Sequence, residues 1–201
     1  RTSGPILPTP VVGMVGLLES RSRAVAMRWS DGDEIWLLGM PAWDVDALAA
    51  SELGWRRGRF GGRPALDLPA AVRLVRLLGR LAADGLLAGA HDTSVGGIGV
   101  ALARLAIASS LGASITLPPE ASAHPSASLF GERTGRAVLA MPRPSGGALA
   151  AAADAAGVPA CRLGVAGGET LAVEVGQRRP GADPQRVRGG RGAPCERHAG
   201  A

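Results

Sequence analysis

Residues 66–113 read LDLPAAVRLVRLLGRLAADGLLAGAHDTSVGGIGVALARLAIASSLGA, and the helices that this block predicts decide the fold. Asp67 and Pro69 are typical of a helix start, and Gly85 follows the expected helix end near residue 84. Leucines recur at helical spacing along this first helix and are expected to face the core: Leu74, Leu77, Leu78 and Leu81. The block therefore predicts an amphipathic helix that packs against another layer.

The segment after this helix carries the candidate chemistry, HDTSVGG at residues 91–97. Asp92 offers a hard oxygen ligand and Ser94 offers a hydroxyl, while Gly96 and Gly97 allow backbone amides to approach an anion. The start of the following helix adds the positive end of a dipole. Together these features favour a site for phosphate and magnesium.

A purely structural interpretation of the same residues stays open. Asp92 or Ser94 could cap the second helix, the glycines could form the turn into it, and His91 could be a satisfied residue at a strand end. The second helix is expected over residues 97–111, where Gly112 stops it and an alanine-rich face permits close packing on a sheet.

The remainder of the chain alternates short strands with helices. Apolar runs predict strands at residues 11–18, 24–29, 34–38, 113–117, 136–141, 161–165 and 170–175. A third helix is expected over residues 146–156, and glycine-rich or polar composition predicts loops over residues 47–66 and 118–128. Trp29, Trp36 and Trp43 recur at seven-residue intervals, and their strand-like context favours packing in the core or against a partner over a base-stacking platform. This alternation is typical of an α+β fold, an α/β sandwich.

Composition limits the possible functions. The chain has 201 residues, 46% of them hydrophobic, which is enough for one full domain and part of another. It has no long uncharged apolar run and no signal peptide, so we expect a cytoplasmic protein with no membrane segment. Its cysteines, Cys161 and Cys195, predict neither a disulfide scaffold nor a zinc site.

The charge is concentrated at the end of the chain. The net charge is +5, and residues 177–201 hold six arginines against Asp183 and Glu196. The preceding residues are nearly neutral, which argues against a face for specific nucleic-acid binding. Residues 177–201 are rich in Gly, Pro and Arg and are expected to be disordered.

Several separate motifs occur in the order and spacing of one enzyme family. They are PTPVVGMVGLLES at residues 8–20, the block at 66–113, LFGERTGRAVLAMP at 129–142 and AAADAAGVPACRLGVAGGETLAV at 151–173. The chain resembles the synthetase subunit of the phosphoribosylformylglycinamidine synthase family. The match covers most of residues 5–175, and it is far more specific than a lone glycine motif.

The resemblance implies a domain organisation. It places a remnant of an AIR-synthase-type N-terminal domain at residues 1–46 and an inter-domain loop at 47–66. An AIR-synthase-type C-terminal domain, with three helices on a mostly β layer, follows at 67–176, and the tail occupies 177–201. Under this division the three strands before residue 40 belong to the preceding domain.

The resemblance also implies a function. Members of the family use ATP and Mg²⁺ to convert formylglycinamide ribonucleotide and glutamine to the amidine, together with a glutaminase subunit and a small bridging subunit. The family's catalytic groups lie in segments that this chain lacks, so we expect no catalytic residue here and no activity from the chain alone.

By motif position, Asp92 is the expected metal ligand and Ser94 the expected nucleotide contact. Two departures weaken this site. Val95 stands where the family's HDxSDGG motif has a second acid. At residues 129–133 the chain has LFGER where the family usually has LFSES, so no binding role is assigned to Glu132 or Arg133.

Two alternatives remain open at this point. The chain could belong to another ATP-dependent enzyme of the same superfamily, such as aminoimidazole ribonucleotide synthetase or selenophosphate synthetase. It could also be a non-catalytic module that makes subunit contacts or binds polyanions through its tail.

Overall fold

The computed structural model describes residues 11–40, 43–59, 61 and 66–176. Six strands lie within these residues: β1 (Glu34–Gly39), β2 (Gly89–Asp92), β3 (Ala113–Leu117), β4 (Arg136–Met141), β5 (Ala160–Ala166) and β6 (Leu171–Val175). The α-helices are α1 (Glu52–Arg56), α2 (Leu68–Ala83), α3 (Gly97–Ser109), α4 (Pro125–Phe130) and α5 (Gly146–Ala155). Short 3₁₀ turns occupy Arg21–Arg23, Val45–Leu48, Pro119–Ala123 and Arg143–Ser145.

The six strands form one mixed sheet in the order β2-β4-β1-β5-β3-β6. Neighbouring strands are antiparallel except β3 and β6, which run parallel. Leu37 of β1 pairs with Val138 of β4 on one side and with Cys161 of β5 on the other. The sheet thus has β1 near its centre and β2, which leads into the candidate site, at one edge.

Helices cover both faces of the sheet. Val138 and Ala140 of β4 belong to the core beneath α3, where Leu102 and Leu105 are fully buried. The alternate residues of the same strand face the core beneath α2 and α5, and these are Ala137, Leu139 and Met141. Because side chains alternate across a strand, one strand supplies both cores. The predicted α+β fold class is confirmed.

Helix α2 follows its sequence signals closely. The Asp67 carboxylate accepts a hydrogen bond from the Ala70 amide at 2.9 Å, which satisfies one free donor of the first turn. Leu74, Leu77 and Leu81 are buried as predicted. Gly85 has φ +68, a conformation that glycine adopts at little cost after a helix end. The predicted second and third helices are likewise confirmed in α3 and α5.

Two of the predicted N-terminal strands are absent. Residues 11–18 form no strand, and Val15 and Leu17 are fully exposed. Residues 24–29 form none either, although the Ala26 carbonyl accepts a hydrogen bond from the Ala90 amide. An apolar run becomes a strand only where a neighbouring strand supplies regular backbone partners. Residues 11–18 have no such partner among the described residues, and residues 24–29 lie beside β2 without forming a regular ladder with it.

The third N-terminal strand exists but lies elsewhere than predicted. Strand β1 was assigned to the preceding domain, whereas it is hydrogen-bonded between β4 and β5 in the middle of this sheet. Its partners are more than 90 residues away along the chain, and local pattern does not indicate such distant pairing. The division of the chain into domains otherwise stays a prediction.

Two predicted loops contain helices. Residues 47–66 include α1, whose first turn is capped because Ser51 Oγ accepts a hydrogen bond from the Gly54 amide at 3.1 Å. Residues 118–128 include a 3₁₀ turn and the start of α4, each with proline in its first turn. The expected disorder of residues 177–201 falls outside the described residues.

The three tryptophans that recur at seven-residue intervals pack against the core. Trp29 is buried and its indole N–H donates to the Leu111 carbonyl at 3.0 Å, while Trp36 is buried on the opposite face of the sheet. Trp43 is partly buried against the core beneath α3. Among the described residues, no helix combines the length and apolar character needed to cross a bilayer.

Candidate functional site

The candidate site lies where the edge strand β2 runs into α3. Asp92 ends β2 opposite Ala137 of β4, and the chain turns through the next four residues into the helix. Gly96 is the N-cap residue with φ 83, and neither Asp92 nor Ser94 caps this helix through its side chain. The interpretation of Asp92 or Ser94 as a helix cap is therefore wrong.

Asp92 and Ser94 are brought together in front of the helix. The Asp92 side chain is 67% exposed, and its carboxylate accepts a hydrogen bond from the Ser94 side chain. His91 Nδ1 lies 3.2 Å from Asp92 Oδ1 and donates to the Asp92 backbone carbonyl at 2.6 Å. The Ser94 hydrogen bond, aided by His91, holds the pKa of Asp92 below its ordinary value although partial burial opposes the shift. Asp92 is therefore an ionised, solvent-facing carboxylate at neutral pH.

Contrary to the prediction, the backbone amides of Gly96 and Gly97 are not available to a phosphate. The Gly96 amide donates to Glu132 Oε1 at 2.9 Å, and the Gly97 amide donates to the Ser94 carbonyl at 3.0 Å. Both glycines are buried, and a Cβ atom on Gly97 would lie 2.7 Å from the Gly131 carbonyl oxygen. These glycines permit close packing of two backbone segments, and their donors are used inside the molecule.

Sequence reasoning missed Glu132. Its Oε1 atom accepts the Gly96 amide and also the Glu52 amide at 2.8 Å, so one carboxylate joins the first turns of α1 and α3. No binding role had been assigned to Glu132 or to Arg133. Arg133 Nη2 contacts both carboxylate oxygens of Asp44, at 3.0 and 3.2 Å. The signal in the sequence is an acid in the LF-x-E motif, shortly before the buried strand β4.

Arg136 lies behind this turn and is almost completely buried. Its Nη2 donates to the Gly131 carbonyl at 2.6 Å, and its Nε donates to the Arg133 carbonyl at 3.4 Å. Burial, reinforced by the nearby charge of Arg133, lowers the pKa of Arg136 to about 10, so the guanidinium stays charged at neutral pH. It therefore holds the backbone on both sides of Glu132.

A shallow, open groove separates α1 from the start of α3. Its lining combines small, acidic and large apolar side chains, namely Ala50, Ser51, Glu52, Trp55, Val95 and Glu132. Val95 is 59% exposed there, at the motif position where the family resemblance implies a second acid. The missing carboxylate removes a possible ligand from this rim of the site.

The donor set fits magnesium only partly. Within the described ranges, no group of three or more His, Cys, Asp or Glu side chains is arranged to hold a metal ion. Magnesium in nucleotide sites commonly takes one or two protein carboxylates and completes its shell with water and phosphate oxygens. Asp92, ionised and exposed, fits the role of a single such ligand.

The sheet order, the helices on both faces and the edge-strand turn define a domain of the AIR-synthase type. The chain belongs to the family described as AIR synthase related protein, C-terminal domain, whose model matches residues 30–176. The resemblance inferred from the sequence motifs is confirmed.

The more particular similarity is to one enzyme subunit. The phosphoribosylformylglycinamidine synthase subunit PurL of Leifsonia xyli is 36% identical over 166 residues, which are 80% of this chain and 21% of that protein. The subunit of the same name from Frankia casuarinae is 38% identical over 175 residues, 86% of this chain and 22% of that protein. The chain thus spans about a fifth of the length of these relatives.

Solved structures show the same fold. PurL of Thermotoga maritima, in a complex with ATP, superposes with a TM-score of 0.60 at 17% identity, covering 77% of this chain and 25% of that one. Thiamine-monophosphate kinase from Stenotrophomonas maltophilia superposes with a TM-score of 0.53 at 24% identity, covering 77% of this chain and 54% of that one. At these identities the likeness concerns the fold alone.

Proposed function

We propose that this chain is the C-terminal portion of the synthetase subunit of phosphoribosylformylglycinamidine synthase. The whole enzyme is an ATP-dependent ligase that converts formylglycinamide ribonucleotide and glutamine to formylglycinamidine ribonucleotide in de novo purine biosynthesis. The observation that carries the proposal is the series of relatives named as this subunit, which are 35–38% identical over 80–87% of the chain.

Within that enzyme, the role of this chain is support of a bound nucleotide. Ser94 contacts the nucleotide and Asp92 binds its magnesium ion, and both residues face solvent at the same turn. The magnesium ion, when bound, neutralises phosphate charge. The Ser94 hydroxyl hydrogen-bonds to the Asp92 carboxylate and lowers its pKa further, which favours the charged form that binds a cation.

Catalysis belongs to other segments of the enzyme. The proposed contacts of Asp92 and Ser94 hold a ligand without transferring a proton, and the chain spans about a fifth of the length of its relatives. We therefore expect no turnover from the chain alone. Its partners are the preceding segments of the same subunit, a glutaminase subunit and a small bridging subunit, and the assembly works in the cytoplasm.

The proposal is tested with a chimera. The matching segment of the Leifsonia xyli relative is replaced by residues 11–176 of this chain, and the gene is expressed in a purine auxotroph that lacks the enzyme. A second chimera carries the matching Frankia casuarinae segment as a control. We expect both chimeras to restore growth without added purine, and the isolated chain to restore none.

The outcomes separate clearly. Growth with the Frankia segment but not with this chain, at equal levels of soluble protein, contradicts the proposed function. Turnover by the isolated chain contradicts its assignment as a supporting portion.

A further inference from the structure

Glu132 is a carboxylate at the start of α3 that the proposed nucleotide contacts leave without a role. Helix α3 has 13 residues, and its N-cap residue, Gly96, has no side chain that could cap it. Glu132 Oε1 accepts hydrogen bonds from the amides of Gly96 and Glu52, at 2.9 and 2.8 Å. A single oxygen atom therefore serves the first turns of two helices.

Hydrogen bonds hold the backbone of the turn at Glu132 and at the residues on either side of it. The Glu132 amide donates to the Ala47 carbonyl at 2.8 Å, and the flanking carbonyls of Gly131 and Arg133 both accept from the Arg136 guanidinium. These two hydrogen bonds tie the Arg136 guanidinium to the turn, while its Nη1 atom is buried without a hydrogen-bond partner among the described residues. The carboxylate is thus held in place by its backbone, and it is not a side chain that swings freely.

The position that Glu132 fills is the one where a helix attracts an anion. The N-terminus of a helix carries a partial positive charge and unpaired amides, and phosphate groups commonly bind there. In this chain the anion is internal. A phosphate at the same place would have to displace the carboxylate from two hydrogen bonds or lie beside a like charge, and the Gly97 amide is already bonded to the Ser94 carbonyl.

We propose that Glu132 is a specificity-determining residue that excludes free phosphate groups from the N-terminus of α3. A nucleotide then reaches this face only through the Ser94 hydroxyl and through a cation on Asp92, and the backbone amides of the helix take no part. This inference rests on the proposed nucleotide role of Asp92 and Ser94.

The test uses inorganic phosphate and the full 201-residue chain. Thermal unfolding is followed at increasing phosphate concentration for the wild type, Glu132→Ala and Glu169→Ala. Glu169 is an exposed acid in the β5–β6 turn, so its removal changes the net charge equally without touching α3's first turn. Phosphate stabilises folded proteins in general, and Glu169→Ala measures that general effect.

We expect Glu132→Ala to bind phosphate at least about tenfold more tightly than the wild type, because the amides of Gly96 and Glu52 are freed and a like charge is lost. The midpoint temperatures of unfolding of the wild type and of Glu169→Ala should rise equally, and only by the general stabilisation that phosphate gives to folded proteins. An equal response of the wild type and Glu132→Ala would overturn the proposal, as would a folded Glu132→Ala with no added response.

A second measurement needs no variant and decides the question if Glu132→Ala fails to fold. In the wild type, the amide NMR signals of Gly96 and Gly97 should stay unchanged during a phosphate titration, and a saturable shift of either signal would refute the exclusion. Neither readout depends on catalysis. An inactive chimera would contradict the proposed function, whereas phosphate binding by the wild type at α3 would contradict the role of Glu132.

Discussion

Substituting Gly97 by alanine tests the packing at the entrance to α3. Gly97 has φ +64, a backbone conformation that residues with a Cβ atom rarely adopt. The added Cβ would lie 2.7 Å from the Gly131 carbonyl oxygen and 2.8 Å from the Leu129 carbonyl oxygen. Both neighbours are backbone atoms, which cannot rotate away as a flexible side chain would.

The expected loss of stability follows from these two contributions. A left-handed conformation costs a non-glycine residue roughly 1–2 kcal/mol. Forcing a methyl group into a packed region costs about 1–3 kcal/mol more. Gly97→Ala should therefore lower the free energy of unfolding by roughly 2–5 kcal/mol, a large part of the ~5–15 kcal/mol typical of a folded domain.

Gly79→Ala is the matched control. Gly79 lies on the exposed face of α2, and a Cβ atom there would meet nothing within 4 Å. Alanine is favoured over glycine in a helix interior by about 1 kcal/mol, so this variant should be more stable than the wild type. Equilibrium denaturation with urea, followed by circular dichroism, gives both free energies. If Gly97→Ala proved as stable as the wild type, the account of the glycine pair as a close-packing device would be refuted.

The remaining predictions concern the two proposed contacts. Ser94→Ala should raise the pKa of Asp92 towards its ordinary 3.8, because the largest cause of its depression is removed, and NMR titration of the carboxyl carbon measures this. Because the pKa of Asp92 is lower in the folded state, this carboxyl adds to the free energy of unfolding at pH values above its ordinary pKa. The contribution is lost as the pH falls through the folded-state pKa, so the wild type should lose more stability in acid than Ser94→Ala. An unchanged pKa in the variant would contradict the assigned hydrogen bond. Nucleotide binding is measured by calorimetry with ADP and Mg²⁺ on the wild type, on Asp92→Ala and on the control Asp154→Ala, which removes an exposed acid on α5. Asp92→Ala should bind the nucleotide at least about tenfold more weakly than the other two proteins. Equal binding by all three would show that Asp92 is not part of the site.

Much of the fold could be predicted because its signals are local. The cap at Asp67, the leucine spacing along α2 and the glycine after its last turn all lie within one helix, and each behaves as its chemistry requires. The proximity of Asp92 and Ser94 was equally predictable, since two residues of one turn cannot lie far apart. Residues 11–18 show the limit of this reasoning, because their apolar character is plain but no partner strand accompanies it among the described residues.

In the candidate site too, local features could be predicted from the sequence, and contacts between distant segments could not. By itself, the sequence determined the helices, most of the strands, the family and the turn that carries Asp92 and Ser94, since those features depend on neighbouring residues and on short motifs. Only the tertiary structure decided that β1 lies between β4 and β5 and that Glu132, 36 residues from Gly96, occupies the N-terminus of α3. The physical reason is that a buried amide must find an acceptor, and which acceptor it finds depends on how distant segments pack.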